Sequence, residues 1–185
     1  LAAINALTGG AASTPTGWLI LLLVASWACY YAPKLAGYAE MLLKGIAAAT
    51  GKQGSSSLGG KLVVATMAEA GIPVEGVKIV DGSGLSSLDR LTAASLVGVL
   101  QAGLTDPTIR TAFVGSLAVA GRSGTLSTRL PALQGRVKGK TGTTNIACSL
   151  SGLVGRSYAF AVLQTGNPVS SWAARAAQDR FVTLL

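Results

Sequence analysis

Gly135-Arg136-Val137-Lys138-Gly139-Lys140-Thr141-Gly142-Thr143-Thr144 is the stretch on which the reading of this chain turns. Its basic residues stand at alternate positions 136, 138 and 140, the period-two spacing of a strand with one basic face. Within it, Lys140-Thr141-Gly142 sets a cation beside a hydroxyl donor. The glycine, lacking Cβ, would leave room for an extended ligand to pair with the strand as an added edge. Working outward, Ala147 to Val154 and Tyr158 to Gln164 are also strand-like, and Gly155-Arg156-Ser157 between them reads as a tight hairpin turn. Ser170 or Ser171 then caps a last helix to Leu185, with Trp172, Ala176 and Phe181 available to pack onto the strands.

Upstream the periodicity is helical. Apolar residues recur at helix spacing from Tyr38 to Thr50, with Gly51 as a stop, and again from Lys61 to Ala70, ending at Gly71-Ile72-Pro73. Val77 to Val80 reads as a short strand and Asp81 to Ser87 as a polar loop whose glycines permit tight turns. Thr92 is placed to cap a helix to about Ala102, and Pro107 to open another reaching about Gly115.

Three segments carry a resemblance. Val80-Asp81-Gly82-Ser83-Gly84-Leu85-Ser86, then Leu117-Ala118-Val119-Ala120-Gly121-Arg122-Ser123-Gly124-Thr125-Leu126, then Lys140-Thr141-Gly142-Thr143 occur in this order. Together they resemble the D-alanyl-D-alanine carboxypeptidase/endopeptidase family of low-molecular-mass, class C penicillin-binding proteins. The likeness runs from about Gly37 to Leu185, and Tyr38 to Lys44 is similar to the helix that follows the Ser-x-Asn motif there. It implies an α+β fold with an antiparallel sheet flanked by helices, part of the penicillin-binding-protein/β-lactamase-like transpeptidase fold, with the Lys-Thr-Gly strand bordering the cleft. It further implies serine-type carboxypeptidase chemistry on peptidoglycan peptides in a bacterial cell envelope or periplasm. Lys140, Thr141 and Gly142 would be the catalytic remnant, Thr143 and Ser83 would contact substrate, and no cofactor is implied. Residues 1–36 then form an opening segment and 37–185 the C-terminal part of the family's domain.

The other two signatures of such enzymes are Ser-x-x-Lys, which carries the nucleophile, and Ser-x-Asn. No serine in these 185 residues has a lysine three positions later; Ser57 to Lys61 is one residue too long. Lys34-Leu35-Ala36 stands where the resemblance would place Ser-x-Asn, and leucine and alanine neither shuttle a proton nor hold an amide. Losing the nucleophile of a serine hydrolase costs on the order of a millionfold in turnover. The expectation is therefore that this chain alone does not turn over substrate, while a D-Ala-terminated peptide could still meet the cation and donor of Lys140 and Thr141. The rival expectation is a catalytically retired structural or accessory subunit of a membrane-associated assembly, on an organelle membrane if not in a bacterial envelope. A third is a binding-only module for D-Ala-terminated peptides. After the Asp-Gly-Ser motif, Ser87 stands where family members often have arginine, and Asp89-Arg90 is expected to supply the local charge pair instead.

Composition bounds the rest. The chain has 185 residues, 50% of them hydrophobic, with no charge before Lys34. Residues 17–33 form an apolar run that as a helix would reach about 25 Å, against roughly 30 Å for a bilayer core. Trp18, Trp27, Tyr30 and Tyr31 suit a membrane interface, while the same run suits a buried core helix. No positive residues precede it as a cleaved signal would require, and a chain opening at Leu1 is a processed product, a fragment or an incompletely defined sequence. The net charge of +8 points to anionic partners, but the cations are scattered and no aromatic interleaving suggests nucleic acid. Cys29 and Cys148 read as buried free thiols. With no histidine, catalysis by that side chain is excluded and no metal site is expected.

Overall fold

Pro33, tolerated in a first helical turn, opens α1 (Pro33–Ala49), on which Ala39, Leu43 and Ala47 recur every fourth residue and are buried. The structure is a computed structural model and describes residues 33–155 and 158–185. Of the apolar run only Pro33 falls among these, and Cys29 lies outside them. Among the described residues no helix is long and apolar enough to cross a membrane.

Helix α2 (Ser56–Glu69) begins five residues earlier than its apolar periodicity suggests. The Ser55 side chain caps it by accepting from the Leu58 N–H at 3.2 Å, and the glycine-rich stretch is helical because its glycines are contact points. A Cβ on Gly59 would stand 2.3 Å from the Leu43 carbonyl oxygen, and one on Gly60 2.2 Å from that of Ile79. Only glycine lets these backbones approach so closely. Thr92 and Ser95 form a reciprocal capping box on α3 (Ala93–Thr105), and Leu43, Val63, Met67, Ile72 and Val99 make the core between these helices.

Helix α4 (Arg110–Ser116) starts beyond Pro107. Asp106 accepts from the Thr108 N–H at 2.8 Å and its carbonyl from the Arg110 N–H at 3.0 Å, so residues 107–109 form the capping turn. The strand expected over Val77–Val80 reduces to a single bridge between Lys78 and Arg90.

The chain divides into two compact units, one ending at Phe113 and one beginning at Val114. The second holds β1 (Ala118–Val119), β2 (Val137–Thr143), β3 (Ala147–Val154), β4 (Tyr158–Thr165) and α5 (Ser171–Thr183). The strands lie in the order β1-β2-β3-β4, each pair antiparallel, so the fold is α+β with an antiparallel sheet. Leu126, Val137, Leu150, Val154, Phe160 and Val182 form the core of this unit.

Ser170 caps α5, but the buried face is not the expected one. Ala174, Gln178 and Val182 are buried, while Trp172 is 82% and Phe181 45% exposed. At about 100° per residue, Trp172 lies almost opposite Ala174 around the helix. Apolar spacing could not mark this face, because its centre is a glutamine. The Gln178 amide nitrogen donates to Gln164 Oε1 at 2.9 Å and approaches the buried Cys148 Sγ at 3.5 Å.

Candidate functional site

The Lys-Thr-Gly triad lies inside β2, which runs three residues past Lys140, the last of the alternating basic positions. Lys140 stands opposite Ser151, Thr141 opposite Leu150, Gly142 opposite Ser149 and Thr143 opposite Cys148. Side chains alternate along the strand, with Val137, Gly139 and Thr141 buried and Lys138, Lys140 and Gly142 half-buried. Lys140 and Thr141 therefore project to opposite faces, and Thr143 shares the face of Thr141. The Lys140 ammonium donates to the Thr141 carbonyl. At Gly142 the space without a Cβ is taken up across the ladder, since a methyl there would lie 2.5 Å from Ser149 Oγ. That glycine accommodates its own neighbouring strand before any ligand.

The outer edge of β2 is partly open. β1 pairs only with Lys138 and Gly139, so among the described residues no strand lies along that side from Thr141 onward. The end of this edge is closed by a tight turn in which Thr144 Oγ1 accepts from the N–H groups of Ala147 and Ile146 at 3.0 and 3.3 Å. The Val169 N–H donates to the Asn145 carbonyl at 2.9 Å, bringing the start of α5 beside this turn.

Arg175 of α5 consequently reaches Thr143, its Nη2 lying 3.5 Å from Thr143 Oγ1. The position of α5 is fixed by Arg129, whose guanidinium spans Asp179 at 2.6 and 3.3 Å, Gln178 Oε1 at 3.1 Å and the Arg175 carbonyl at 3.4 Å. Sequence reasoning missed Arg175, which is one of several scattered cations and meets Thr143 only through the helix-to-strand packing.

The Asp81–Ser86 loop of the first unit is held by carboxylates. Asp81 Oδ1 accepts from the Gly84 N–H at 2.6 Å and the Ser83 hydroxyl at 3.0 Å, and its Oδ2 accepts from the Ser86 N–H at 2.8 Å. Ser83 Oγ in turn accepts from the Leu85 N–H at 3.3 Å, so this hydroxyl is engaged in both directions within the loop. Glu40 on α1 accepts from the Gly82 N–H at 2.6 Å and the Ser56 hydroxyl, and pairs with Lys44 at 3.5 Å.

Asp89 and Arg90 do not pair as expected. The Arg90 guanidinium donates to the carbonyls of Ser87 and Asp89, each at 2.7 Å, while Asp89 Oδ1 turns inward to the Val80 N–H at 2.7 Å. Its Oδ2 is buried with no hydrogen-bond partner among the described residues. Burial raises the Asp89 carboxyl above its ordinary value of 3.8, and the neighbouring Asp81 and Glu40 charges add to this, outweighing the backbone donors that lower it. The backbone of Lys34-Leu35-Ala36 belongs to the first turn of α1. Among the described residues no cluster of three or more metal-ligating side chains occurs.

Comparison with known proteins agrees with these motifs. The profile of the D-Ala-D-Ala carboxypeptidase 3 (S13) family matches residues 36–185. Carboxypeptidase DacB of Mycolicibacterium smegmatis is 36% identical over 137 residues, covering 68% of this chain and 30% of its own. The D-alanyl-D-alanine carboxypeptidase of an Actinomadura species is 35% identical over 159 residues, covering 80% of this chain and 29% of its own. The chain thus spans about three tenths of the length of these curated relatives. Among solved structures, penicillin binding protein 4 of Haemophilus influenzae, crystallised with a β-lactam, superposes with a TM-score of 0.65 at 23% identity. That match covers 79% of this chain and 37% of the other, and it shows a shared fold.

Proposed function

The chain belongs to the D-Ala-D-Ala carboxypeptidase 3 (S13) family, and on that premise we propose that it forms the Lys-Thr-Gly part of a serine carboxypeptidase-like domain that recognises D-Ala-terminated peptidoglycan peptides in a bacterial cell envelope. The observation that carries this reading is that, among the described residues, no strand pairs with the outer edge of β2 from Thr141 onward, on the family's Lys-Thr-Gly-Thr motif. An extended peptide can add there as a strand, exchanging main-chain hydrogen bonds with β2. Thr141 and Thr143 offer hydroxyls on one face, and Lys140 contributes positive field from the other.

Acylation needs an activated serine, and neither Ser-x-x-Lys nor Ser-x-Asn occurs in these 185 residues. The chain by itself is therefore proposed to bind without turning over. A second reading, a retired accessory subunit of a membrane-associated assembly, draws its support from the same two absences. Calorimetric titration with diacetyl-L-Lys-D-Ala-D-Ala separates the two. Saturable binding that weakens about tenfold or more in Lys140→Ala supports the peptide-recognition reading. No binding, with co-purification of a fixed set of membrane proteins, transfers the case to the accessory subunit.

A further inference from the structure

We propose that a cavity inside the first unit, between α1, α2, α3 and the Asp81–Ser86 loop, is a second binding site, for a compact apolar molecule that carries one primary ammonium group and presents it to Asp89. The inference does not depend on peptide recognition at β2. The cavity has a volume of about 140 Å³. Leu43 of α1, Val63 and Met67 of α2, and Leu96 and Val99 of α3 give it an apolar wall, and all five side chains are buried. Gly84 and Leu91 also line it and are exposed, which gives a small molecule a way in from solvent.

Asp89 lines this cavity with half of its carboxyl uncommitted. Its Oδ1 accepts from the Val80 N–H at 2.7 Å, while its buried Oδ2 has no hydrogen-bond partner among the described residues. The other polar groups of the wall are already engaged. The Ser95 hydroxyl donates to the Thr92 carbonyl at 2.8 Å and accepts from the Thr92 N–H at 3.1 Å, and Asp81 holds its own loop through Ser83, Gly84 and Ser86. Lys78 reaches the wall but is exposed, and the ion pairs found among the described residues, Lys44–Glu40 and Arg129–Asp179, do not include it. A buried water needs two to four polar partners, whereas an apolar space of this size accepts a body about as large as benzene. An occupant with one donor would supply the hydrogen bond that Oδ2 lacks. The charges of Asp81 and Glu40 beside Asp89 favour a cationic donor over a neutral hydroxyl, since an ammonium is attracted by that field and forms a charge-assisted bond.

The test is an NMR titration of the full 185-residue chain at neutral pH with benzylamine and with toluene, which has the same ring and no ammonium group. The wild-type chain is expected to bind benzylamine about tenfold or more tightly than toluene, with shift changes centred on the cavity wall. In Asp89→Asn, which keeps the shape and removes the charge, that ratio is expected to fall to within about twofold. Circular dichroism checks that the variant is folded. Should it not fold, carbon NMR of the Asp89 carboxyl in the wild type takes its place, and benzylamine is expected to move the titration to lower pH. An unchanged ratio in Asp89→Asn, or an unmoved titration in the wild type, overturns the role of Asp89. A wild-type chain that binds neither probe, or shows shift changes only away from the cavity, overturns the site.

Discussion

The Asp81–Ser86 loop and the Thr141–Thr143 end of β2 are both short polar motifs punctuated by glycine, yet their polar groups have opposite destinations. In the loop, acids turn inward onto backbone. Asp81 takes two N–H groups and a hydroxyl, and Glu40 reaches across from α1 to a third backbone amide. At the strand end the dominant group is a cation, Arg175, whose natural acidic partner is already held by Arg129. The first region consumes its charge in holding a turn, and the second leaves charge facing a hydroxyl at an open sheet edge. Two motifs of one family thus spend their polar groups differently, and the difference is visible only in where each donor and acceptor finds its partner.

The largest effect is expected from Arg129→Ala, which removes the half of a largely buried pair that pins α5 and should cost about 3 kcal/mol in urea unfolding. It should also free Asp179 to pair with Arg175 one turn before it, making the strand end resemble the loop. Glu40→Gln attacks the other side of the comparison. It exchanges a charged acceptor for an amide and should cost about 2 kcal/mol by the same measurement while leaving peptide affinity unchanged. Ser83→Ala should cost about 1 kcal/mol, with affinity again unchanged, because its hydroxyl serves the loop. A marked loss of affinity in Ser83→Ala would move the loop into the ligand site and collapse the distinction.

The smallest effect is pH-dependent. The Asp89 carboxyl is raised in the folded chain above its ordinary 3.8, so the fold prefers its protonated form. Stability from this group is complete below pH 3.8 and declines as pH rises through the raised folded value, since the unfolded chain ionises first. Urea midpoints for wild type and Asp89→Asn, followed from acid to neutral pH, should show the wild type losing ground to the variant as pH increases. Parallel profiles would mean that the buried, unpartnered Oδ2 carries no cost.

Much of the second unit was legible in the sequence. The bounds of β3 follow from a run of strand-forming residues ending at Gly155, and the Ser170 cap from its place before a helix-forming stretch, while Arg156 and Ser157 of the expected hairpin turn lie outside the described residues. These are local signals and survive without tertiary information. Three features were not legible because they are made by contacts across the fold. Gly59 and Gly60 precede the apolar periodicity that begins at Lys61, and they lie in α2 where the backbones of Leu43 and Ile79 approach them closely. The buried face of α5 centres on Gln178, a polar residue made tolerable by its partners on β3 and β4 and by Arg129. Arg175 lies 32 positions after Thr143 and carries no motif of its own.

The most direct measurement is the intact mass of the 185-residue chain after incubation with a penicillin. An unchanged mass is expected, because neither Ser-x-x-Lys nor Ser-x-Asn occurs in these residues, together with reversible displacement of a bound D-Ala-D-Ala peptide by the drug if the proposed recognition holds. A mass increase equal to one acyl-penicillin would show a nucleophile within these residues, and the proposal of binding without turnover would be wrong.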